Sequence, residues 1–218
     1  MSDYKLIVFD WDGTLMNSLA RIASCMQAAA VDLAIAPATA EQVHGIVGLA
    51  LDIAIRRLHP QLDESQVELM RQRYSHHYVE AESTPSAFYE GIPQMLDSLS
   101  AKGALLSVAT GKSRKGLSRV FNAHGVEALF HSSRCADETR SKPEPDMLLE
   151  ILDFHKLQPS EAVMVGDTEF DLEMAVRAGV DSVGVTWGAH DITRLLRHNP
   201  KVCVDSVASL SDWLHQAV

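Results

Sequence analysis

Phe9-Asp10-Trp11-Asp12-Gly13-Thr14 is the stretch that decides the fold, because it places two carboxylates directly after the apolar run 5–9. The apolar run predicts a buried parallel strand, and Gly13 predicts a turn after it. Open α/β sheets hold their ligands at the carboxyl ends of their strands. Two acids this close repel each other unless a cation or chemical work requires them. We therefore predict that Asp10 and Asp12 lie in a catalytic site.

Short apolar segments alternate with helical segments over most of the chain, a pattern that predicts a parallel sheet flanked by helices. The predicted strands are 5–9, 104–109, 129–132, 162–165, 182–185 and 201–204. Ser113 precedes a predicted helix over 114–124 that Gly125 ends, and Gly179 ends another over 171–178. The predicted fold class is α/β, a doubly wound parallel sheet.

One segment, 16–86, interrupts this alternation with helical patterns over 18–33, 40–47, 49–58 and 64–82. Thr39 and Gln42 predict a capping box for the second of these helices, and Asp63 predicts a cap for the fourth. We predict an all-helical cap domain over 16–86, inserted into a core of 1–15 and 87–218, with hinges at 16–18 and 84–86. A mobile unit beside a reactive strand end can close over a substrate and exclude water.

The composition narrows the possible partners of the protein. The 218 residues include 19 basic and 29 acidic side chains, a net charge of −10. This acidic balance disfavours nucleic acid and anionic membranes, so we expect a small-molecule partner. No signal sequence and no apolar run of about 18 residues occurs, and we predict a cytoplasmic protein. Cys25, Cys135 and Cys203 have no spacing typical of disulfides or zinc. A monomer and a homodimer both stay open.

Three further strand ends and loops carry polar side chains. The strand over 104–109 leads into Thr110-Gly111-Lys112-Ser113 ahead of a helix, an arrangement that can hold an anion. Lys142 precedes Pro143 in a loop, and the strand over 162–165 leads into Asp167 and Asp171. These acids could lie at a common point with Asp10 and Asp12 if one divalent cation and one lysine offset their negative charge and one anionic ligand were bound between them.

Phosphoryl transfer through a covalent intermediate requires such a set. An Asp carboxylate is a known nucleophile for phosphate, which assigns the attack to Asp10. Asp12 would protonate the leaving oxygen and then take a proton from water.

The remaining residues would hold the phosphoryl group and a metal ion. Thr110, the Gly111 amide and Lys142 would bind the oxygens on which charge develops. Asp167 would complete a Mg²⁺ site with the first acids, and Asp171 would support the metal or Lys142.

These strings resemble the four motifs of the haloacid dehalogenase superfamily: FDWDGT (9–14), ATGKS (109–113), SKPEP (141–145) and VGDTEFD (165–171). The resemblance implies Asp10 as nucleophile, Asp12 as acid and base, Thr110 and Lys142 as phosphate binders, and Asp167 as metal ligand, with the backbone carbonyl of Asp12 also on the metal. The helical insertion is similar to the C1 cap of the superfamily. The segment 166–188 looks most like the phosphoglycolate phosphatase branch.

Individual residues argue against two other kinds of binding site and against several other reactions of the superfamily. A calcium loop would need glycine where Leu15 stands, and a nucleotide-binding P-loop would need glycine at Leu106. Asp12 and Asp167 argue for phosphate chemistry over dehalogenation. No lysine occurs between Lys5 and Lys102, which excludes the cap lysine of phosphonoacetaldehyde hydrolases and weakens a β-phosphoglucomutase.

The sequence therefore predicts a Mg²⁺-dependent phosphatase that hydrolyses a small phosphomonoester, with phosphoglycolate as a candidate. The alternatives are β-phosphoglucomutase-like phosphoryl transfer, a pyrophosphatase, and a catalytically silent regulatory or binding module. The segment 16–86 has five arginines and eight acids, a balance that favours a small monoester over a long polyanion. Arg56 and Arg57 could either contact a substrate carboxylate or form a solvated helix face.

Overall fold

A computed structural model describes residues 4–80 and 86–218 of the chain. Its described residues form one sheet in which all neighbouring strands are parallel, in the order β3-β2-β1-β4-β5-β6. The strands are β1 (Leu6–Phe9), β2 (Leu105–Thr110), β3 (Ser132–Cys135), β4 (Ala162–Gly166), β5 (Asp181–Val185) and β6 (Val202–Val204). The chain moves outward from β1 to β3 and then returns to β4 on the other side, which places the switch point of the sheet between β1 and β4.

Helices cover the sheet and form the insertion between β1 and β2. The helices of the insertion are α1 (Leu19–Asp32), α2 (Ala40–His44), α3 (Leu51–Leu58) and α4 (Glu64–Glu80). The core helices are α5 (Ile92–Ala101), α6 (Arg114–His124), α7 (Asp146–His155), α8 (Glu169–Ala178), α9 (Ile192–Leu195) and α10 (Val207–Ala217). None of the described helices is both long enough and apolar enough to cross a membrane.

Strand β1 shows why the sheet is covered on both faces. All four of its residues are buried, and successive side chains of a strand point to opposite faces. Ile7 and Phe9 pack in the hydrophobic cluster that includes α5, α6 and α10. Leu6 and Val8 pack in the cluster that includes α7 and α8. A continuous apolar run is the pattern expected of such a strand, and the predicted doubly wound α/β fold is confirmed.

The prediction of the third strand was displaced by three residues. Residues 127–129 form a short 3-10 helix, and the strand is Ser132–Cys135. This strand lies at the edge of the sheet and is only partly buried, so it carries Ser132, Ser133 and Arg134 where an apolar run was sought. In the insertion, helix α2 ends at His44 and α3 begins at Leu51. Both helices are shorter than predicted because Gly45 is the C-cap of α2 and turns occupy the residues between it and Ala50, the N-cap of α3.

The insertion has a hydrophobic cluster of its own, formed by α1 to α4 and the loop before α3. The capping box of Thr39 and Gln42 is present. Asp63 accepts from the backbone N–H of Gln66 at 2.9 Å. The two chain segments that join the insertion to the core run side by side, since the N–H of Asn17 donates to the carbonyl of Ala87 at 2.9 Å. The predicted hinge residues 84 and 85 lie outside the described residues.

Candidate active site

Asp10 follows β1 and is fixed by a buried lysine. Its backbone N–H donates to the carbonyl of Val165 at 3.0 Å, which continues the β1–β4 pairing. Lys142 Nζ donates to Asp10 Oδ1 at 2.7 Å and to Asp171 Oδ1 at 2.6 Å, and all three side chains are buried. Asp10 Oδ2 is buried and has no hydrogen-bond partner in the described part of the chain. Asp10 is therefore held by one oxygen and keeps the other for a ligand.

Asp167 follows β4 and faces Asp10 across the switch point. Thr14 Oγ1 donates to its Oδ1 at 2.7 Å, and the N–H of Ala189 donates to its Oδ2 at 2.7 Å. A Cβ on Gly13, which has φ +86°, would lie 2.3 Å from Asp167 Oδ2. Glycine at this turn thus allows the backbone after Asp12 to approach Asp167.

Asp171 holds Lys142 in place, and both of its carboxylate oxygens accept hydrogen bonds from the protein. Its Oδ1 accepts from Lys142, and its Oδ2 accepts from Thr168 Oγ1 at 2.7 Å and from the N–H of Thr168 at 3.1 Å. The first turn of α8 holds Asp171 in this position through the capping box with Thr168. Both oxygens of Asp171 are therefore already occupied by protein donors.

The side chain of Asp12 turns away from these acids toward the cavity beneath the insertion. Ser18 Oγ donates to Asp12 Oδ1 at 2.7 Å, and Lys112 Nζ lies 2.8 Å from Asp12 Oδ2. Lys112 also donates to the Tyr78 hydroxyl at 3.2 Å. This contact joins the core to α4 of the insertion. It also leaves the backbone carbonyl of Asp12, and not its carboxylate, as the metal contact that the resemblance implies.

Thr110 and Gly111 lie at the carboxyl end of β2, where the insertion approaches the core. Thr110 is buried, and its Oγ1 accepts from the N–H of Lys112 at 3.2 Å. A Cβ on Gly111 would lie 2.7 Å from the carbonyl oxygens of Gly48 and Leu49. Only a residue without a side chain allows this close packing between the two parts of the molecule.

The loop before α3 contacts residues next to several site residues. The N–H of Ala50 donates to Ser141 Oγ at 2.8 Å, one residue before Lys142. Phe170 is one residue before Asp171 and is buried in the hydrophobic cluster of the insertion, with Arg57 5.2 Å above its ring. The insertion is thus docked on the chain segments that carry the buried acids and the lysine.

The electrostatics of the site show an excess of buried negative charge. Burial raises the pKa of Asp10 well above its usual value, and Lys142 opposes this effect only in part. Burial, and then the neighbouring Asp171, raises the pKa of Asp167 to about 7. Burial opposes the charge on Lys142, but the carboxylates of Asp10 and Asp171 outweigh it and raise its pKa. One ammonium therefore does not balance the three carboxylates.

A hard divalent cation fits this arrangement. Asp10, Asp167 and Asp171 each offer an oxygen, and these oxygens lie within 4.8 Å of one another. Asp10 Oδ2 has no partner among the described residues. Each oxygen of Asp167 accepts one hydrogen bond from a neutral donor and keeps a further lone pair, whereas Asp171 pairs with the Lys142 ammonium and accepts twice from Thr168. Mg²⁺ prefers carboxylate and carbonyl oxygens and neutralises charge of this kind. The buried acids therefore form a fitting site for Mg²⁺, with Asp10 and Asp167 as the available carboxylates.

A cavity of about 800 Å³ lies between the insertion and the core. Asp10, Asp12, Thr110, Gly111 and Lys112 line it from the core side. The helices α1, α3 and α4 line it from the opposite side. Asp10, whose Oδ2 has no partner among the described residues, thus lines the cavity between the insertion and the core.

The structure brings Asp10, Asp167, Asp171 and Lys142 together as the sequence predicted, and several further residues that the sequence did not single out hold them in place. Thr14 and Lys112 belong to the quoted motif strings, and their nearness to the acids was a usable signal. Ser18, Ser141 and Phe170 gave no such signal, because their contacts depend on how the insertion docks.

Comparisons with known proteins agree with the fold and the site. The sequence profile of the haloacid dehalogenase-like hydrolases matches residues 7–185. A phosphoglycolate phosphatase of Vibrio vulnificus (strain YJ016) is 30% identical over 218 residues, which cover 96% of each chain. The probable phosphatase IndB of Dickeya dadantii (strain 3937) is 31% identical over 215 residues, covering 96% of this chain and 93% of the relative. A crystal structure of a predicted phosphoglycolate phosphatase from Haemophilus somnus 129pt has a TM-score of 0.89 and 26% identity, covering 98% of this chain and 99% of that one.

The described residues thus combine a doubly wound α/β core, buried acids at its switch point and a cavity beside a helical insertion. The chain belongs to the haloacid dehalogenase-like hydrolase family. The predicted family and the predicted enzyme class, a hydrolase of the phosphatase kind, are confirmed.

Proposed function

We propose that this protein hydrolyses a small phosphomonoester in two steps through an aspartyl-phosphate intermediate, with Mg²⁺ as cofactor. The observation that carries the proposal is the buried Asp10, whose Oδ1 is held by Lys142 while Oδ2 has no partner in the described residues. A nucleophilic carboxylate requires this combination of a fixed position and a free lone pair.

In the first step, a carboxylate oxygen of Asp10 attacks phosphorus and the bond from phosphorus to the ester oxygen breaks. Asp12 gives its proton to that oxygen, so the alcohol leaves as a neutral molecule. Ser18 and Lys112 orient the Asp12 carboxyl through its two oxygens. The product of this step is phosphorylated Asp10 beside an ionised Asp12.

In the second step, Asp12 takes a proton from water as the water attacks the same phosphorus. The bond between phosphorus and Asp10 breaks, which releases inorganic phosphate and restores the carboxylate. Asp12 thereby regains its proton, so acid and base are one residue at two stages of the cycle.

The other residues bind charge and keep the site dry. Thr110, the Gly111 amide and Lys142 are proposed to bind the phosphoryl oxygens, and Asp171 holds Lys142. Asp10, Asp167 and the backbone carbonyl of Asp12 would hold Mg²⁺, which neutralises phosphoryl charge when bound.

We propose that residues 16–86 act as the cap domain over a core of 1–15 and 87–218. Its contacts at Gly111 and Ser141 support a role in closing the site.

The test measures hydrolysis of a panel of phosphomonoesters with and without Mg²⁺. The panel includes phosphoglycolate, since relatives that are about 30% identical bear that name. We expect turnover that requires Mg²⁺ and that falls by about 10³-fold or more in Asp10→Asn, because the amide is a far weaker nucleophile. Trapping of phosphate on the protein during turnover would identify the covalent intermediate.

Asp153→Asn is a matched control, because Asp153 is exposed and pairs with Lys156 at the surface. Full activity of the control together with loss in Asp10→Asn supports the nucleophile assignment. Hydrolysis that survives Asp10→Asn would overturn it, and absence of any turnover by the unchanged protein would favour the silent-module alternative.

We further propose a cytoplasmic enzyme, and the net charge of −10 supports small molecules over polyanions as its partners. We propose that it binds neither nucleic acid nor membranes and acts as a monomer or a homodimer. Light scattering of the purified chain distinguishes the two assemblies, and a nucleic acid complex that resists physiological salt would contradict the proposal.

A further inference from the structure

The cavity beneath the cap is larger than a two-carbon acid phosphate requires. Its volume of about 800 Å³ is of the size that holds drug-sized ligands, roughly 300–1,000 Å³. A phosphate group bound at Asp10 and Thr110 occupies only the floor. Most of the space is therefore available to the alcohol part of the substrate.

The cap side of this space is mainly apolar. Leu51 from α3 is partly buried and Val79 from α4 is 38% exposed, and both line the cavity. Ile22, Met26, Ala54 and Val67 also line it, although each is less than 10% exposed because it packs in the hydrophobic cluster of the cap. Tyr74 adds an aromatic ring to the same wall. Such a surface binds a ligand by removing apolar area from water, so it favours a substrate that carries apolar area of its own.

The charged residues on the cap side do not favour a second anion. Asp52, Glu64 and Glu68 line the cavity there, together with Arg71. Arg71 is held by Glu68 through two hydrogen bonds, each of 2.7 Å. Glu64 likewise pairs with Arg56. A substrate carboxylate would therefore meet Asp52 and two matched acid–arginine pairs, all of them with exposed side chains, and no unmatched arginine among them.

Among the described residues, three cations line the cavity from the core side: Lys112, Lys115 and Arg119, which is partly buried and is not without a partner. Lys112 is held between Asp12 and the Tyr78 hydroxyl. Lys115 and Arg119 come from α6, and Lys115 is exposed to solvent. Lys115 therefore offers a carboxylate only a solvated contact, which contributes little to affinity.

We propose that the cavity binds the alcohol part of the substrate and that this part is uncharged, apolar and larger than glycolate, of the size of an aromatic ring or a six-carbon chain. This inference rests on the proposed phosphatase function and specifies the substrate class of the same site. It separates this chain from what the names of its relatives suggest, because their glycolate ester carries a carboxylate.

The test compares four phosphate esters of primary alcohols, which keeps the leaving groups chemically similar. They are ethyl phosphate, hexyl phosphate, benzyl phosphate and phosphoglycolate, each assayed with Mg²⁺. A hydrophobic pocket discriminates about 10- to 200-fold for each methylene group that it binds well. We expect kcat/KM for the hexyl and benzyl esters to exceed that for the ethyl ester by about tenfold or more, with phosphoglycolate no better than ethyl phosphate.

A charge introduced into the wall should reverse this order. Leu51 lines the cavity and is partly buried, so Leu51→Arg places a cation beside the apolar surface. We expect this variant to lose most of the benzyl preference and to gain activity on phosphoglycolate. Leu51→Met nearly conserves the volume and should retain the order of the four esters. Lys115→Gln should leave the ratio of phosphoglycolate to ethyl phosphate within about twofold.

A higher kcat/KM for phosphoglycolate than for the benzyl and hexyl esters in the unchanged protein would overturn the inference, even if Leu51→Arg failed to fold. A large loss of phosphoglycolate hydrolysis in Lys115→Gln would locate a carboxylate site on α6 and overturn it as well. These outcomes differ from failure of the proposed function, in which none of the four esters is hydrolysed.

Discussion

The core edge and the cap wall meet at one cavity but are built in opposite ways. At the core edge, Asp167, Asp171 and Lys142 are buried, and their polar atoms are held by named donors and acceptors. On the cap wall, Leu51 and Val79 present apolar surface, and no comparable buried polar network is found among the described cap residues that line the cavity. The core edge therefore holds charged groups in fixed positions, whereas the proposed role of the cap wall is to select substrates by their shape and apolar area.

This difference predicts how the two regions respond to substitution. Polar groups buried at the core edge form one network, so loss of one member leaves others without a partner. The cap wall consists of side chains that interact mainly by packing, and substitutions there change the fit of one group at a time. Core variants should therefore change both folding and chemistry, and cap variants should change mainly the choice of substrate.

The largest effect on both folding and chemistry is expected for Lys142→Met. The change removes the ammonium that contacts Asp10 at 2.7 Å and Asp171 at 2.6 Å, and leaves two buried carboxylates without it. Breaking a buried ion pair on one side costs about 3–5 kcal/mol. We expect a loss of that size in the free energy of urea unfolding, together with loss of turnover.

Lys156→Met is the matched control, because the Lys156 side chain is 77% exposed and pairs with Asp153 at the surface. Its unfolding free energy should stay within about 0.5 kcal/mol of the unchanged protein. Adding Asp171→Asn to Lys142→Met should recover part of the lost stability by removing one uncompensated charge. Equal stability of Lys142→Met and the control would show that the core edge is no more interdependent than the surface.

The second largest effect concerns the acids themselves and depends on pH and Mg²⁺. Burial, and then Asp171, raises the pKa of Asp167 to about 7, whereas an unfolded Asp titrates near 3.9. Between these values the folded state holds a proton that the unfolded state has lost. The stability of the metal-free protein should therefore fall as pH rises from about 4 to about 7.

Mg²⁺ should reverse this loss, because it binds the folded state at the ionised acids. We expect the Tm at pH 8 to rise with Mg²⁺ concentration and the rise to shrink toward pH 5. Thermal unfolding in EDTA and in Mg²⁺ across this range measures both effects. Asp167→Asn should flatten the pH dependence and weaken the response to Mg²⁺. A Tm at pH 8 that is indifferent to Mg²⁺ would contradict the proposed metal site.

The two regions also differ in how far the sequence predicted them. Asp10 and Asp167 were found because parallel strands end at one edge of a sheet, so residues distant in sequence must meet there. Lys142 lies in a loop before α7, and it was found through the SKPEP string and its fit with the acids. The apolar runs of β1 and β4 predicted directly where these two strands end. Strand β3 was displaced because it lies at the edge of the sheet and has no apolar run of its own.

The sequence of the cap predicted its helices but not the contacts that they make with the core. The pairing of Thr39 with Gln42 is local in sequence, and it was predicted correctly. The burial of Phe170 in the cap cluster and the contact of Lys112 with Tyr78 depend on the docking of two separately patterned units. No period or motif in one chain segment encodes its partner surface in another, so these contacts lay beyond the sequence.

A smaller effect is expected where the two regions touch, at Lys112. Its Nζ lies 2.8 Å from Asp12 Oδ2 and donates to the Tyr78 hydroxyl at 3.2 Å. Hydrogen bonds to charged groups contribute about 1.5–3 kcal/mol, and a factor of ten in rate is about 1.4 kcal/mol. We expect Lys112→Met to lower kcat about tenfold with KM nearly unchanged, because it orients Asp12 more than it binds substrate.

Tyr78→Phe separates the two contacts of Lys112, because it removes the hydroxyl and keeps the ring. Its kcat should fall by less than about threefold, since Asp12 retains both of its own hydrogen-bond partners. A larger loss in Tyr78→Phe than in Lys112→Met would mean that closure of the cap, and not the orientation of Asp12, limits the rate. Measured with ethyl phosphate, both variants report on chemistry apart from the apolar subsite.

The smallest effect is expected for Arg56 and Arg57, the cap arginines that the sequence offered as carboxylate contacts. Both are exposed; Arg56 pairs with Glu64, and Arg57 lies over the Phe170 ring. Neither lines the cavity. Arg56→Gln and Arg57→Gln should therefore change kcat/KM for phosphoglycolate by less than about twofold, because exposed pairs contribute at most about 1 kcal/mol even to stability.

Arg71→Gln is the informative comparison, because Arg71 does line the cavity and its removal leaves Glu68 uncompensated. If Arg56→Gln or Arg57→Gln raised KM for phosphoglycolate tenfold while leaving benzyl phosphate unaffected, the cap would bind a carboxylate from outside the apolar wall, and the contrast between the two regions would fail at the cap.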